Sequence, residues 1–150
     1  MSSQRSVNAA DFLSAAELAA VHNAVQDAEL RTSAEVRVHL ESHVEGDILD
    51  HAAIVFEQLG MQRTKHRNGV LIYVSVADRR LAVIGDKGIH ERVGANFWPA
   101  VVAEILKGFK ADNPAFGLAM GLHLVGEQLS AHFPREENDS NELSNEVSIG

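Results

Sequence analysis

The stretch "NGVLIYVSV", 68–76, is almost wholly apolar and rich in β-branched residues. Such a run is the signature of a central strand covered on both faces, because neither face could meet water without exposing large aliphatic groups. "ADRR" then makes a tight reversal and "LAVIG", 81–85, reads as a second short strand, so the two form a hairpin. Upstream, "AEVRVHLE", 34–41, alternates Val36, Val38 and Leu40 with Glu35, Arg37, His39 and Glu41, which predicts a strand with one wetter face.

Helices fill the intervals. Ser14 followed by Glu17 is a capping-box pattern, and the apolar spacing that follows predicts a helix over 15–30. Leu49, Ala52, Ala53, Phe56 and Leu59 give a second helix over 48–60, with Gly60 as its stop. A third runs over 95–109 with Pro99 tolerated near its start, and a fourth over 115–132 accepts three glycines. The order αβαββαα predicts an α/β fold. A strand–helix–strand connection is right-handed and parallel in nearly all cases. Strands 34–41 and 69–76 should then start at one edge of the sheet, and the hairpin returns 80–85 to that edge. Thr32, Ser33, Glu35, Arg67, Asn68 and Asp86 should meet at one rim, with Asp78, Arg79 and Arg80 at the other.

Composition sets the scale and removes some chemistries. A chain of 150 residues that is 45% hydrophobic is large enough for a single core. The reading is a flexible N-terminus (1–13), one domain (14–134) and an acidic tail (135–150). The tail has five acids against one base, half of the net charge of −8. Leu143, Val147 and Ile149 within it predict partial docking. With no cysteine, disulfides and thiolate chemistry are excluded. An acidic chain with one Trp and one Tyr is a poor fit to nucleic acid. No apolar run approaches the ~20 residues of a membrane helix. Charges at Arg5, Asp11, Glu17 and Asp27 interrupt any signal-peptide pattern, so a soluble cytoplasmic protein is expected.

The rim holds the sharpest constellation. Asp86, Glu35 and the Asn68 side chain are oxygen donors suited to a hard cation such as Ca²⁺ or Mg²⁺, and Gly85 and Gly88 would let the loop backbone turn inward. Gly-Asp-Lys-Gly would equally serve as a plain turn. Lys65, His66 and Arg67 beside it are suited to an anion or to ordinary loop charge. Trp98 opens the helix after this loop and is expected to wall the same pocket. Neither a Walker sequence nor a Gly-x-Ser-x-Gly nucleophile occurs, and no histidine pair has metalloprotease spacing.

The segments "TSAEVRVHLE", "AAIVFEQLGMQRTKHRNGVLIYVSVADRRLAVIGDKGI", "FWPAVVAEILKGFK", "GLAMGLHLVGEQLSAHFP" and "NELSNEVSIG", in this order, resemble the TPM domain family in its short stand-alone bacterial branch. The resemblance implies a three-layer α/β/α sandwich with a central mixed sheet. It implies a divalent-cation site, calcium in some relatives, carried here by Asp86 and Glu35 with Asn68 behind them. It also implies a binding or regulatory, chaperone-like role toward a protein partner, for some relatives a membrane complex. The alternative is a metal-assisted acid phosphatase in which Lys65, His66 and Arg67 gather the anion and water attacks.

Overall fold

The computed structural model describes residues 5–93, 97–135 and 145–150. At its centre is β2 (Gly69–Ser75), in which every residue is buried. β1 (Glu35–Glu41) runs parallel to it in a register from Glu35↔Gly69 to Glu41↔Ser75. β3 (Arg80–Gly85) returns antiparallel, with Val70 opposite Gly85. A two-residue β4 (Ser148–Ile149) adds parallel to β1, so the strand order is β3-β2-β1-β4.

The two-residue period of the strands sorts their side chains into two cores. Val36, Val38, Leu40, Val70, Ile72, Val74 and Val83 face α2 (Ala15–Arg31), α5 (Phe97–Lys110) and α6 (Pro114–His132). Leu71, Tyr73 and Ala82 face α3 (Ile48–Gln58) together with Val44 and Met61. Helices on both faces of a mixed four-stranded sheet make the expected α/β/α sandwich. No helix among the described residues is long and apolar enough to cross a membrane.

The capping box at the start of α2 is complete: Ser14 Oγ accepts from Glu17 N at 3.1 Å and Glu17 Oε1 accepts from Ser14 N at 2.9 Å. Of the glycines of the last helix, Gly117 and Gly121 belong to its crossing with α5 and Gly126 to its contact with Ala28 of α2. A Cβ on Gly108 would lie 2.4 Å from Gly117 Cα, so the two backbones touch where no side chain fits.

Four elements exceed the predicted order. α1 (Ala9–Phe12) lies inside the segment read as a flexible N-terminus, and there Ala9, Phe12 and Leu13 are buried. A single 3₁₀ turn spans Met61–Arg63. The stretch after Gly85 is a short helix, α4 (Lys87–Val93), rather than a bare loop. The fourth is β4: Val147 packs against the core, and Gly150 N donates to Leu40 O at 2.9 Å. Leu143 lies outside the described residues, as does the start expected for the third helix at 95. All four elements are too short to impose a period on the sequence.

Ile72 has no exposed surface. Ile72→Ala should cost about 2–5 kcal/mol in urea unfolding, as large-to-small changes in packed cores do. A loss below about 1 kcal/mol would mean that the two helical layers do not close over β2.

Candidate functional site

β3 ends at Gly85 because Asp86 starts a helix. Its Oδ1 accepts the Lys87 N–H at 2.8 Å and its backbone carbonyl accepts from Ile89 N at 2.9 Å. The same carboxylate takes a forked pair from Arg67, with Nε 2.7 Å from Oδ2 and Nη2 2.9 Å from Oδ1. This bidentate geometry is the strong form of an arginine–carboxylate contact. It is also asymmetric: the Asp86 side chain is 7% exposed and that of Arg67 41%. Arg67 reaches it from a left-handed backbone conformation, φ 51°.

The glycines flanking Asp86 are demanded by neighbours. A Cβ on Gly88 would stand 2.5 Å from His66 O and 2.7 Å from Arg67 O, so α4 can lie on the 64–67 loop only with glycine there. A Cβ on Gly85 would meet Ile89 at 2.8 Å and the Trp98 ring at 2.9 Å. Trp98 thus packs beneath the turn, edge-on to Phe97, and joins the core shared by α5.

On the α3 side, Asp86 and Arg67 line an open groove of about 390 Å³ with Ile54, Glu57, Gln62 and Ile84. Gln62 Oε1 is buried there with no hydrogen-bond partner among the described residues. Glu57 and Gln62 carry no signal in the sequence. They meet Asp86 only because α3 packs over the hairpin.

Glu35 is held apart from Asp86. It starts β1 while Asp86 lies beyond Gly69, whose carbonyl accepts the Asp86 N–H at 2.9 Å. Two strand spacings, about 10 Å, separate them. The Glu35 carboxyl instead meets that of Glu29, from α2, at the outer edge of β1. Glu29 is 6% exposed and its Oε2 accepts the Val36 N–H at 2.9 Å. Burial, reinforced by Glu35, pushes the Glu29 carboxyl up to about 9, against the opposing pull of the Val36 N–H and Arg135. Between the two carboxylate sites sits Asn68, fully buried. Its carbonyl accepts from Glu35 N at 3.2 Å and its Nδ2 donates to Ser33 O at 3.3 Å. Asn68 Oδ1 has no partner among the described residues.

The basic run is likewise divided. Arg67 faces the α3 groove, while His66 lines a second groove of about 300 Å³ with Ser33, Gly88, Glu91 and His132. Lys65 is exposed and lines neither of the two. The rim therefore gathers the predicted residues, but around two centres rather than one. Among the described residues no three His, Cys, Asp or Glu side chains converge as a ready metal cluster.

The neutral Glu29 has a consequence for stability. A carboxyl whose folded pKa is raised stabilises fully below its unfolded value, and that contribution is lost as pH rises through the folded one. The window runs from the ordinary glutamate value of 4.5 to about 9. Glu29→Gln keeps a neutral acceptor for Val36, so its unfolding midpoint should fall less than that of wild type between pH 5 and 9. Parallel pH profiles for the two proteins would show that Glu29 is ionised in the fold.

The comparisons agree with this architecture. The solution structure of BA42 protein from the psychrophilic bacterium Bizionia argentinensis is 44% identical, with a TM-score of 0.88 over 93% of this chain and 96% of that one. The N-terminal domain of a P. gingivalis protein, 20% identical with a TM-score of 0.66 over 84% of this chain and 83% of that one, shares the fold. No curated protein matches the chain. A family model described as the TPM domain matches residues 6–128, and on that match the chain belongs to the TPM domain family.

Proposed function

We propose that this TPM domain is a cation-responsive binding module. The observation that carries the reading is the donor set of the α3 groove. The Asp86 carboxylate, the partnerless Gln62 Oε1 and the Glu57 carboxylate are all oxygens on one groove. An all-oxygen set of mixed charge suits Ca²⁺ or Mg²⁺ rather than a softer metal. Arg67 now neutralises Asp86, and its exposed stem lets it swing out when a cation takes over that charge. Asp86 would then exchange one positive partner for another while still capping α4. The released guanidinium, beside Lys65 and His66 on the same loop, would turn toward a protein partner, with the half-exposed Ile54 as an apolar contact at the groove. Glu35 stays with Glu29 in this scheme and supports the rim through Asn68.

The phosphatase reading uses the same parts. With a cation on Asp86, Arg67 would be placed to hold a phosphoryl oxygen, and a metal-polarised phosphate would be open to water. Turnover of p-nitrophenyl phosphate that is lost with chelator, in Asp86→Ala and in Arg67→Ala would select it over the binding module.

Calcium should raise the melting temperature of the wild type, because a ligand bound only by the folded state stabilises by mass action, about 2.7 kcal/mol at one hundred times Kd. Asp86→Asn keeps an acceptor for the Lys87 N–H and should abolish the rise. Gln62→Leu should weaken it. Arg67→Gln removes the internal competitor and should lower the calcium concentration needed. An unmoved melting curve with millimolar calcium and magnesium, and no heat in titration calorimetry, would leave Asp86 as a capping and pairing residue only.

A further inference from the structure

The outer edge of β1 carries a hydrogen-bonded relay that the rim does not use. β4 docks with Ser148 opposite His39, which puts Ser148 Oγ 2.9 Å from His39 Nδ1. The other ring nitrogen, Nε2, lies 3.0 Å from Glu41 Oε1. A carboxylate only accepts, so in the neutral ring Nε2 carries the proton and Nδ1 accepts the hydroxyl proton of Ser148. The ring is fixed from a third side. Tyr73, its register partner on β2, stacks against it with centroids 5.2 Å apart and planes 18° from parallel. The Tyr73 hydroxyl in turn bonds Glu41, and burial followed by the Glu41 charge pushes that phenol up to about 12, so it remains a donor.

A hydroxyl on an imidazole nitrogen, with the imidazole oriented by a carboxylate, is the arrangement that turns serine into a nucleophile. Here the two ring nitrogens have exchanged roles relative to the serine-protease triad, and either nitrogen is a competent base. Ser148 is half-buried, so part of this residue is open to solvent at the sheet edge. Arg37 lies one same-face step before His39 on β1. Its buried Nε has no hydrogen-bond partner among the described residues.

We infer that Ser148, with His39 as its base, is a nucleophile that accepts acyl groups from small activated esters and passes them to water. Ser148 Oγ attacks the acyl carbon as its proton moves to His39 Nδ1. The carbon–oxygen bond to the leaving group then breaks, and the leaving oxygen takes that proton. Water enters by the same route, with His39 again as base, and releases a carboxylic acid. Glu41 and Tyr73 are positioning residues. The α3 groove is not involved, so failure of the cation reading leaves this one standing, and the reverse.

The test uses the full chain with a fluorophosphonate probe and with p-nitrophenyl acetate. Intact mass and peptide mapping should give one adduct, at Ser148, and the ester should release a burst of p-nitrophenolate equal to the protein concentration. Ser148→Ala should remove both. His39→Gln should slow adduct formation by about 100-fold, the scale of a lost general base. Glu41→Gln should slow it and displace its pH profile while amide exchange at Ile149 and Gly150 stays slow, which shows the tail still docked. A wild-type protein with no adduct, an adduct elsewhere, or equal rates in wild type and His39→Gln would each overturn the inference. The relay would then be a latch for β4.

Discussion

Burial of β2 on both faces is the constraint from which the rest follows. A strand with Val70, Leu71, Ile72, Tyr73 and Val74 all inaccessible to water requires a helical layer above and below it and a strand on each side. The β1–α3–β2 connection supplies α3 to one face. α2, α5 and α6 must then close the other. Parallel pairing sets where the strands begin, and the hairpin returns β3 to the same rim. The gathering of Asn68, Glu35 and Asp86 along one rim is therefore a geometric by-product of covering β2.

That rim had to solve a problem of charge. A carboxylate taken out of water without a partner is penalised by several kcal/mol. The three buried acids escape it in two opposite ways. Asp86 stays paired, taking a guanidinium fork and a helix N–H. Glu35 shares its surroundings with Glu29, which escapes by keeping its proton. The first solution leaves the charge of Asp86 balanced by a partner, Arg67, that is partly exposed to solvent. The second leaves a neutral acceptor at the strand edge. This difference is why the proposed cation site is placed at Asp86 rather than at the carboxyl pair.

How much of this was legible depended on range. α2, α3, α5, α6 and the three long strands announced themselves by period, and those of their bounds that fall on described residues agree within one or two residues. Convergence at the rim followed from the parallel pairing expected of one crossover and from the hairpin return. α4 did not announce itself because Lys-Gly-Ile-His has no helical period and little propensity. It forms because Asp86 caps it and Ile89 is fully buried. Glu29 read as one more polar residue at the end of an amphipathic helix. Its burial depends on the edge of β1, seven residues on, and on Arg135, whose Nη1 donates to its backbone carbonyl at 2.8 Å. Arg67 was legible as a basic residue but not as the partner of an acid nineteen residues away, since nothing in either local pattern records that distance.

The outer edge of β1 shows the same economy at the other end of the strand. In a parallel sheet one residue in two turns both its N–H and its C=O outward, here Val36, Val38 and Leu40. An open row of that kind invites pairing with other chains. This protein closes it with unlike parts. The Glu29 side chain stands in for a strand at Val36, and β4 takes over at Leu40, where Gly150 N completes the ladder. β4 is too short to be held by two or three ladder bonds alone. Val147 in the core and the His39–Ser148 bond supply what the ladder lacks. A polar contact that fastens a strand must be well ordered, and an ordered serine–imidazole–carboxylate line is what base catalysis requires. The structural demand for a short edge strand and the chemical demand for an aligned nucleophile are therefore met by the same four side chains, Ser148, His39, Glu41 and Tyr73.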